Sequence, residues 1–225
     1  MSKIVFLDVD GTLIDYEAKL PASAAKAVDQ ARANGHKVYI CTGCSKAEIL
    51  QRNLCDLDGM IGGNGAYVED NNHVVMHQGL SKEDVKILLI GVMKDILVYL
   101  EANSGMYCND YMLEQGPETM VKYAKGKGAS LENAKSSAQH FIDGFIHLQG
   151  DELYRDDVNK ISFILRTYQD HLDSKVDFPH LVANTWGGKG EVALFGDLGP
   201  TGITKRHAIE VLLDYLHADP KDTIS

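Results

Sequence analysis

Apolar residues in the first third of the chain fall in short runs separated by polar, glycine-marked stretches. Ile4-Val5-Phe6-Leu7 leads directly into Asp8-Val9-Asp10-Gly11. Four consecutive apolar residues bounded by a glycine turn predict a short strand covered on both faces. Pro21 to Asn34 predicts a helix, because proline suits a first helical turn, the segment is alanine-rich and Gly35 stops it. Lys37 to Cys41 predicts a second strand. Ser45 predicts a helix start running to about Leu54, with Glu48 three residues on completing a capping box. Met60-Ile61 is a short third strand ending in the turn cluster Gly62-Gly63-Asn64-Gly65. Ala66–Val68 and His73–Met76 flank Asp70-Asn71-Asn72 as a hairpin. Alternating strands and helices of this kind predict an α/β fold with a doubly wound, Rossmann-like parallel sheet.

From Ser81 the rhythm changes. Residues Lys82 to Ala102 carry apolar positions near helical spacing and predict one long helix. A strand is expected near Met106-Tyr107-Cys108, helices around Glu118–Lys125 and Leu131–His140, and strands at Lys160–Arg166 and Leu181–Trp186. Together these predict a separate α+β unit of about a hundred residues, a common size for a small domain. Tyr107, Tyr111, Met112, Phe178 and Trp186 read as its core rather than as a substrate box. Beyond it, Glu191–Phe195 reads as extended and Thr204–Leu216 as a helix. The expected division is a core from 1–80, a cap from 81–184 and the remaining core from 185–225.

Composition narrows the function classes. At 44% hydrophobic and 24% charged residues the chain reads as an ordinary globular protein. A net charge of −10 argues against a nucleic-acid partner, which calls for a basic face. The longest later apolar run, Ile87 to Met93, is too short to span a bilayer, and no secretory signal precedes Asp8. Four cysteines in 225 residues fit reduced thiols rather than a disulfide scaffold. The expectation is a cytoplasmic protein with no membrane or nucleic-acid partner; the sequence sets no oligomeric state.

Asp8 and Asp10 lie at the carboxyl end of the first strand, where open α/β sheets bind ligands. A crowded carboxylate pair calls for a cation or a shared proton, which suggests a magnesium site with one nucleophile and one acid/base. Gly11 lets the backbone turn just after the pair. The bland alternative is a strand entering an Asp-Gly turn.

The segment Asp8-Val9-Asp10-Gly11-Thr12-Leu13 resembles the first motif of the haloacid dehalogenase superfamily of phosphohydrolases. The stretches at 62–70 and 190–213 resemble its Cof-type branch, in which a large α+β cap is inserted into the core. The resemblance implies that Asp8 attacks phosphorus and Asp10 handles protons, and that the substrate is a small phosphorylated metabolite such as a sugar phosphate. It implies that Thr42, at the end of the second strand, binds the phosphate, and that Lys205, at the start of the last helix, neutralises phosphate and Asp8. Gly11, Thr12, Gly43 and Asn64 join these as expected substrate-binding positions. Mg²⁺ is the implied cofactor, held by Asp8 and the backbone carbonyl of Asp10.

Two departures from the pattern stand out. The family often has arginine two residues after the Thr42 position, whereas this chain has Cys44. The fourth motif, a strand ending in Gly-Asp and a further carboxylate, is not found: Asp222-Thr223-Ile224-Ser225 stand where that strand would begin. Phe195-Gly196-Asp197 looks like it but precedes Lys205, and is rejected as a metal ligand. The expectation is either a native chain that continues or a degenerate member, with residues 1–225 feebly active. Two rivals remain: a thiol–disulfide oxidoreductase using Cys41 and Cys44, and a pseudophosphatase that binds phosphate compounds without turnover.

Overall fold

The computed structural model describes residues 2–15, 19–52, 54–90 and 96–225. The chain divides into two compact units, one formed by residues up to Gln78 with Gly202–Ser225, the other by Gly79–Thr201.

In the first unit, strands β1 (Ile4–Leu7), β2 (Lys37–Cys41) and β3 (Gly59–Gly62) run parallel. The hairpin β4 (Tyr67–Asp70) and β5 (His73–His77) continues the sheet antiparallel. The turn between them places Asn71 and Asn72 at φ 46° and 64°, the two left-handed positions that a tight hairpin turn requires and asparagine tolerates. Helices α1 (Ala22–Ala33) and α2 (Lys46–Gln51) cover one face, where Val38 and Ile40 of β2 meet Val28 and Ile49. The alternate residues Tyr39 and Cys41 point to the other face, against Ala208, Leu212 and Leu213 of a C-terminal helix, Lys205–Tyr215. One strand therefore feeds two cores, which is why its sequence is apolar almost throughout. At the far edge, a two-residue strand, Thr223–Ile224, pairs parallel with β1. The doubly wound core is present as expected.

The second unit is a six-stranded, mainly antiparallel sheet. In chain order it contains α3 (Lys82–Ile90), β6 (Val98–Ala102), β7 (Met106–Cys108), α4 (Asp110–Gly126), α5 (Leu131–Asp143), β8 (Phe145–His147), β9 (Val158–Ile164), α6 (Tyr168–Asp177), β10 (Leu181–Trp186) and β11 (Phe195–Pro200). The order across the sheet is β10-β11-β9-β6-β7-β8. The C-terminal helix is then α7 and the last strand β12.

Three expectations are corrected here. The single helix over 82–102 is a helix to Ile90 and, from Val98, a strand; the part of the expected helix at 91–95 lies outside the described residues. Every residue of β6 is buried between β7 and β9, and an apolar run buried on both faces carries no period that separates strand from helix. The extended segment expected at Glu191–Phe195 is a short 3₁₀ turn at Gly190–Val192, and the strand begins only at Phe195. Residues 185–201, assigned to the core by sequence, therefore belong to the second unit, since β11 lies between β9 and β10. Of the residues read as cap core, Tyr107, Met112 and Phe178 are buried, Trp186 is half-buried against Phe195, and Tyr111 is exposed. Among the described residues no helix is long and apolar enough to cross a membrane.

Candidate active site

The expected residues converge at the carboxyl ends of β1 and β2. After β1 the chain turns sharply. The Leu13 and Ile14 amides donate to the Val9 carbonyl, and Leu13 also reaches the Asp8 carbonyl, while Gly11 takes φ 76°. This turn leaves the Asp8 and Asp10 side chains about half exposed, at 49% and 57%. The amides of Gly11 and Thr12 close the turn on the Ile14 and Val9 carbonyls, so Thr12 has its hydroxyl left to offer a ligand.

Thr42 follows β2 and is buried. Its amide donates to the Ile61 carbonyl, and its hydroxyl oxygen accepts from the Cys44 amide at 3.2 Å. Acceptance there leaves the hydroxyl proton to donate. Ser45 then starts α2 with both halves of the expected capping box, its hydroxyl accepting from the Glu48 amide and the Glu48 carboxylate accepting from its own amide. Helix α2 ends at Gln51 with Arg52 as its C-cap, three residues short of the expected end.

The glycine-rich turn after β3 locks the remaining parts together. Its Gly63 amide donates to the Cys44 carbonyl at 2.7 Å, and the Asn64 amide to the Thr42 carbonyl at 3.2 Å. A Cβ on Gly43 would sit 3.0 Å from Asn64 Oδ1, so Gly43 is what lets the Asn64 side chain lie against this loop. A Cβ on Gly65 would sit 2.3 Å from the Thr204 carbonyl and 3.0 Å from the Lys205 amide. Gly65 therefore admits the first turn of α7 directly against the loop. Thr204 caps that helix by accepting from the His207 amide. Lys205, next along, brings Nζ to 3.0 Å from Asp8 Oδ1. Its place in a first helical turn is opposed by the helix dipole, so it stands there at a local cost.

One charged partner escaped the sequence reading. Arg52 Nη1 lies 2.5 Å from Asp10 Oδ1, and Nη2 lies 3.3 Å from Cys44 Sγ. Cys44 Sγ in turn reaches Asp10 Oδ2 at 3.5 Å. The available signal was indirect: Cys44 stands where the resemblance leads one to expect a guanidinium, and an arginine follows at the end of the same short helix.

The thiols of the C-x-x-C pair do not suit redox exchange. Burial is the largest influence on both. It pushes Cys41 up to about 11, against a smaller downward pull from Lys205, and raises Cys44 well above the ordinary thiol value, with Glu48 pushing the same way and Arg52 opposing. Thiol exchange runs through the thiolate. Asp197 is buried in β11 of the second unit, with Lys160 Nζ 3.6 Å from its carboxylate. Among the described residues, no group of three His, Cys, Asp or Glu side chains comes together as a ready metal cage.

A family model of haloacid dehalogenase-like hydrolases matches residues 5–225. The Bacillus subtilis (strain 168) protein named "Putative phosphatase YkrA" is 24% identical over 230 residues, spanning 99% of this chain and 77% of its own. A haloacid dehalogenase-like hydrolase from B. subtilis superimposes with a TM-score of 0.77 at 18% identity, over 98% of this chain and 81% of the other. The subclass IIB sugar phosphatase BT4131 gives a TM-score of 0.70 at 21% identity, over 99% and 79%.

Proposed function

The chain belongs to the haloacid dehalogenase-like hydrolase family, and on that footing we propose that it is a magnesium-dependent phosphatase of a small phosphorylated metabolite, most simply a sugar phosphate. The observation that carries the reading is the approach of Lys205 Nζ to Asp8 Oδ1 across 197 positions of sequence, beside Asp10 and the Thr42 loop. Phosphoryl transfer asks for an in-line nucleophile, neutralised charge and donors to the phosphate oxygens. In this reading an Asp8 carboxylate oxygen attacks phosphorus as the bond to the leaving oxygen breaks, and Asp10 passes its proton to that oxygen. Water then attacks the aspartyl-phosphate, Asp10 takes a proton from it, and the bond to Asp8 breaks to release phosphate. Thr42, Asn64 and the Thr12 hydroxyl donate to the phosphate oxygens, and the Lys205 ammonium offsets their charge. Gly11 and Gly43 allow the close approach.

The donor set suits magnesium in kind: Asp8 and the Asp10 carbonyl are hard oxygen donors, and both side chains are open enough for water to complete an octahedral shell. Bound there, the ion would offset the negative charge of the phosphate and the Asp8 carboxylate. The sugar-phosphatase activity named for BT4131 supports the substrate class. The four free thiols support a reducing, cytoplasmic setting.

The test is hydrolysis of a panel of phosphate monoesters with and without magnesium. Turnover that needs magnesium and falls to background in Asp8→Asn is the expected result. Phosphate-ester binding without turnover would favour the pseudophosphatase reading. Insulin reduction that survives Asp8→Asn and is lost in Cys44→Ser would favour the thiol reading.

A further inference from the structure

Asp10 must hold a defined direction if it is to move a proton, because a proton donor works only within hydrogen-bond reach of its acceptor. A half-exposed carboxylate at the tip of a turn has no such direction by itself. Here both of its oxygens are engaged. The Arg52 guanidinium donates from Nη1 to Oδ1 at 2.5 Å, and the Cys44 thiol donates to Oδ2 at 3.5 Å. The two holders are joined, since Arg52 Nη2 donates to Cys44 Sγ at 3.3 Å. Both are themselves fixed. The Cys44 amide is tied to the Thr42 hydroxyl and its carbonyl to the Gly63 amide. The capping box at Ser45 and the bond from the Arg52 amide to the Ile49 carbonyl set the two ends of α2. Arg52 is the less exposed partner, at 22% against 57% for Asp10.

We propose that Arg52 and Cys44 act as positioning residues that orient the Asp10 carboxylate, with Arg52 supplying from the end of α2 a guanidinium that position 44 does not. This rests on the phosphatase reading of Asp8 and Asp10 above. The thiol at 44 serves as a bridge, accepting from Arg52 and donating to Asp10.

A group that orients a proton donor matters most when the leaving oxygen is a poor leaving group, so two esters separate this role from others. The protein with magnesium is assayed on an alkyl phosphate and on p-nitrophenyl phosphate, whose leaving group departs without a proton. Arg52→Met is expected to lower kcat/KM, which reports the steps up to departure of the leaving group, about tenfold or more on the alkyl ester, part of what a general acid contributes, while kcat/KM on the nitrophenyl ester changes by about twofold or less. Arg52→Lys should recover part of the loss. Cys44→Ser should stay near wild type, with Cys44→Ala losing activity in the same ester-dependent sense. Should Arg52→Met fail to fold, Arg52→Lys and the Cys44 pair carry the comparison. An equal fall on both esters, or no effect, overturns the inference while leaving the phosphatase reading standing. A wild-type protein without Asp8-dependent turnover overturns both.

Discussion

At the scale of single residues, the site is a set of small sacrifices in stability. Lys205 sits in the first turn of α7, where a cation is worth roughly 0.3–1 kcal/mol less than a neutral group. Its ion pair with Asp8 is 40% and 49% exposed, and such pairs contribute about 0.2–1 kcal/mol. The two effects nearly cancel. Lys205→Met should therefore shift the melting temperature by no more than about 4 °C. It should reduce kcat/KM by on the order of 10²-fold, the usual loss for one preorganised charge on the reacting group. Thermal melts and steady-state kinetics on one preparation check this, and a large stability loss with activity retained would show Lys205 to be a structural residue. The strand-end position of Asp8 suggested a ligand site by itself, whereas Thr42 and Lys205 were named only through the resemblance, since a Thr-Gly turn and a lysine at a helix start are ordinary features on their own. Arg52 was not legible, because its reach to Asp10 depends on α2 ending at Gln51, and helix ends are the least determined feature of a sequence pattern.

At the scale of elements, glycines decide how loop and helix meet. Gly65 has φ 107° and no room for a Cβ against the Thr204 carbonyl, whereas Gly35 has φ 85° and open space around it. Alanine at either position incurs left-handed strain of about 1–3 kcal/mol. Only at Gly65 must the N-terminus of α7 also move. Gly65→Ala is expected to lower the melting temperature more than Gly35→Ala and to lose activity beyond what that shift accounts for, because Lys205 travels with the helix end. Equal effects of the two substitutions on melting and turnover would remove Gly65 from that role. The same scale explains where the pattern misled. In β2 the alternation of Val38 and Ile40 with Tyr39 and Cys41 matches two covered faces, and the strand is plain from sequence. In Leu97–Ala102 burial on both faces erases any alternation, so a strand was absorbed into the helix before it.

At the scale of the whole molecule, the first unit holds every residue assigned to the phosphate, a group common to all candidate substrates. A contact shared by all substrates cannot discriminate between them, so choice among esters is expected to follow the second unit. Where that unit ends decides how the idea is tested. Past residue 184 the chain runs on through Gly187-Gly188. They are the turn between β10 and β11, with φ 72° and 146°, and a Cβ on Gly188 would meet the Val192 carbonyl at 2.4 Å. A graft cut at 184 would separate β11 from β9 and from most of β10, take Ile164 from beside Phe195, and leave the buried Asp197 without Lys160, which also pairs with Glu101. Losing one member of a buried charge cluster is costly. Exchange of Gly79–Thr201 for the matching unit of a relative should give a folded protein whose ester preference follows the donor and whose turnover still depends on Asp8. Exchange of 81–184 should give a protein without a cooperative melt. A folded 79–201 chimera that keeps the original preference would assign selectivity to the core, and a well-folded 81–184 chimera would show that β11 does not need the partners it has here.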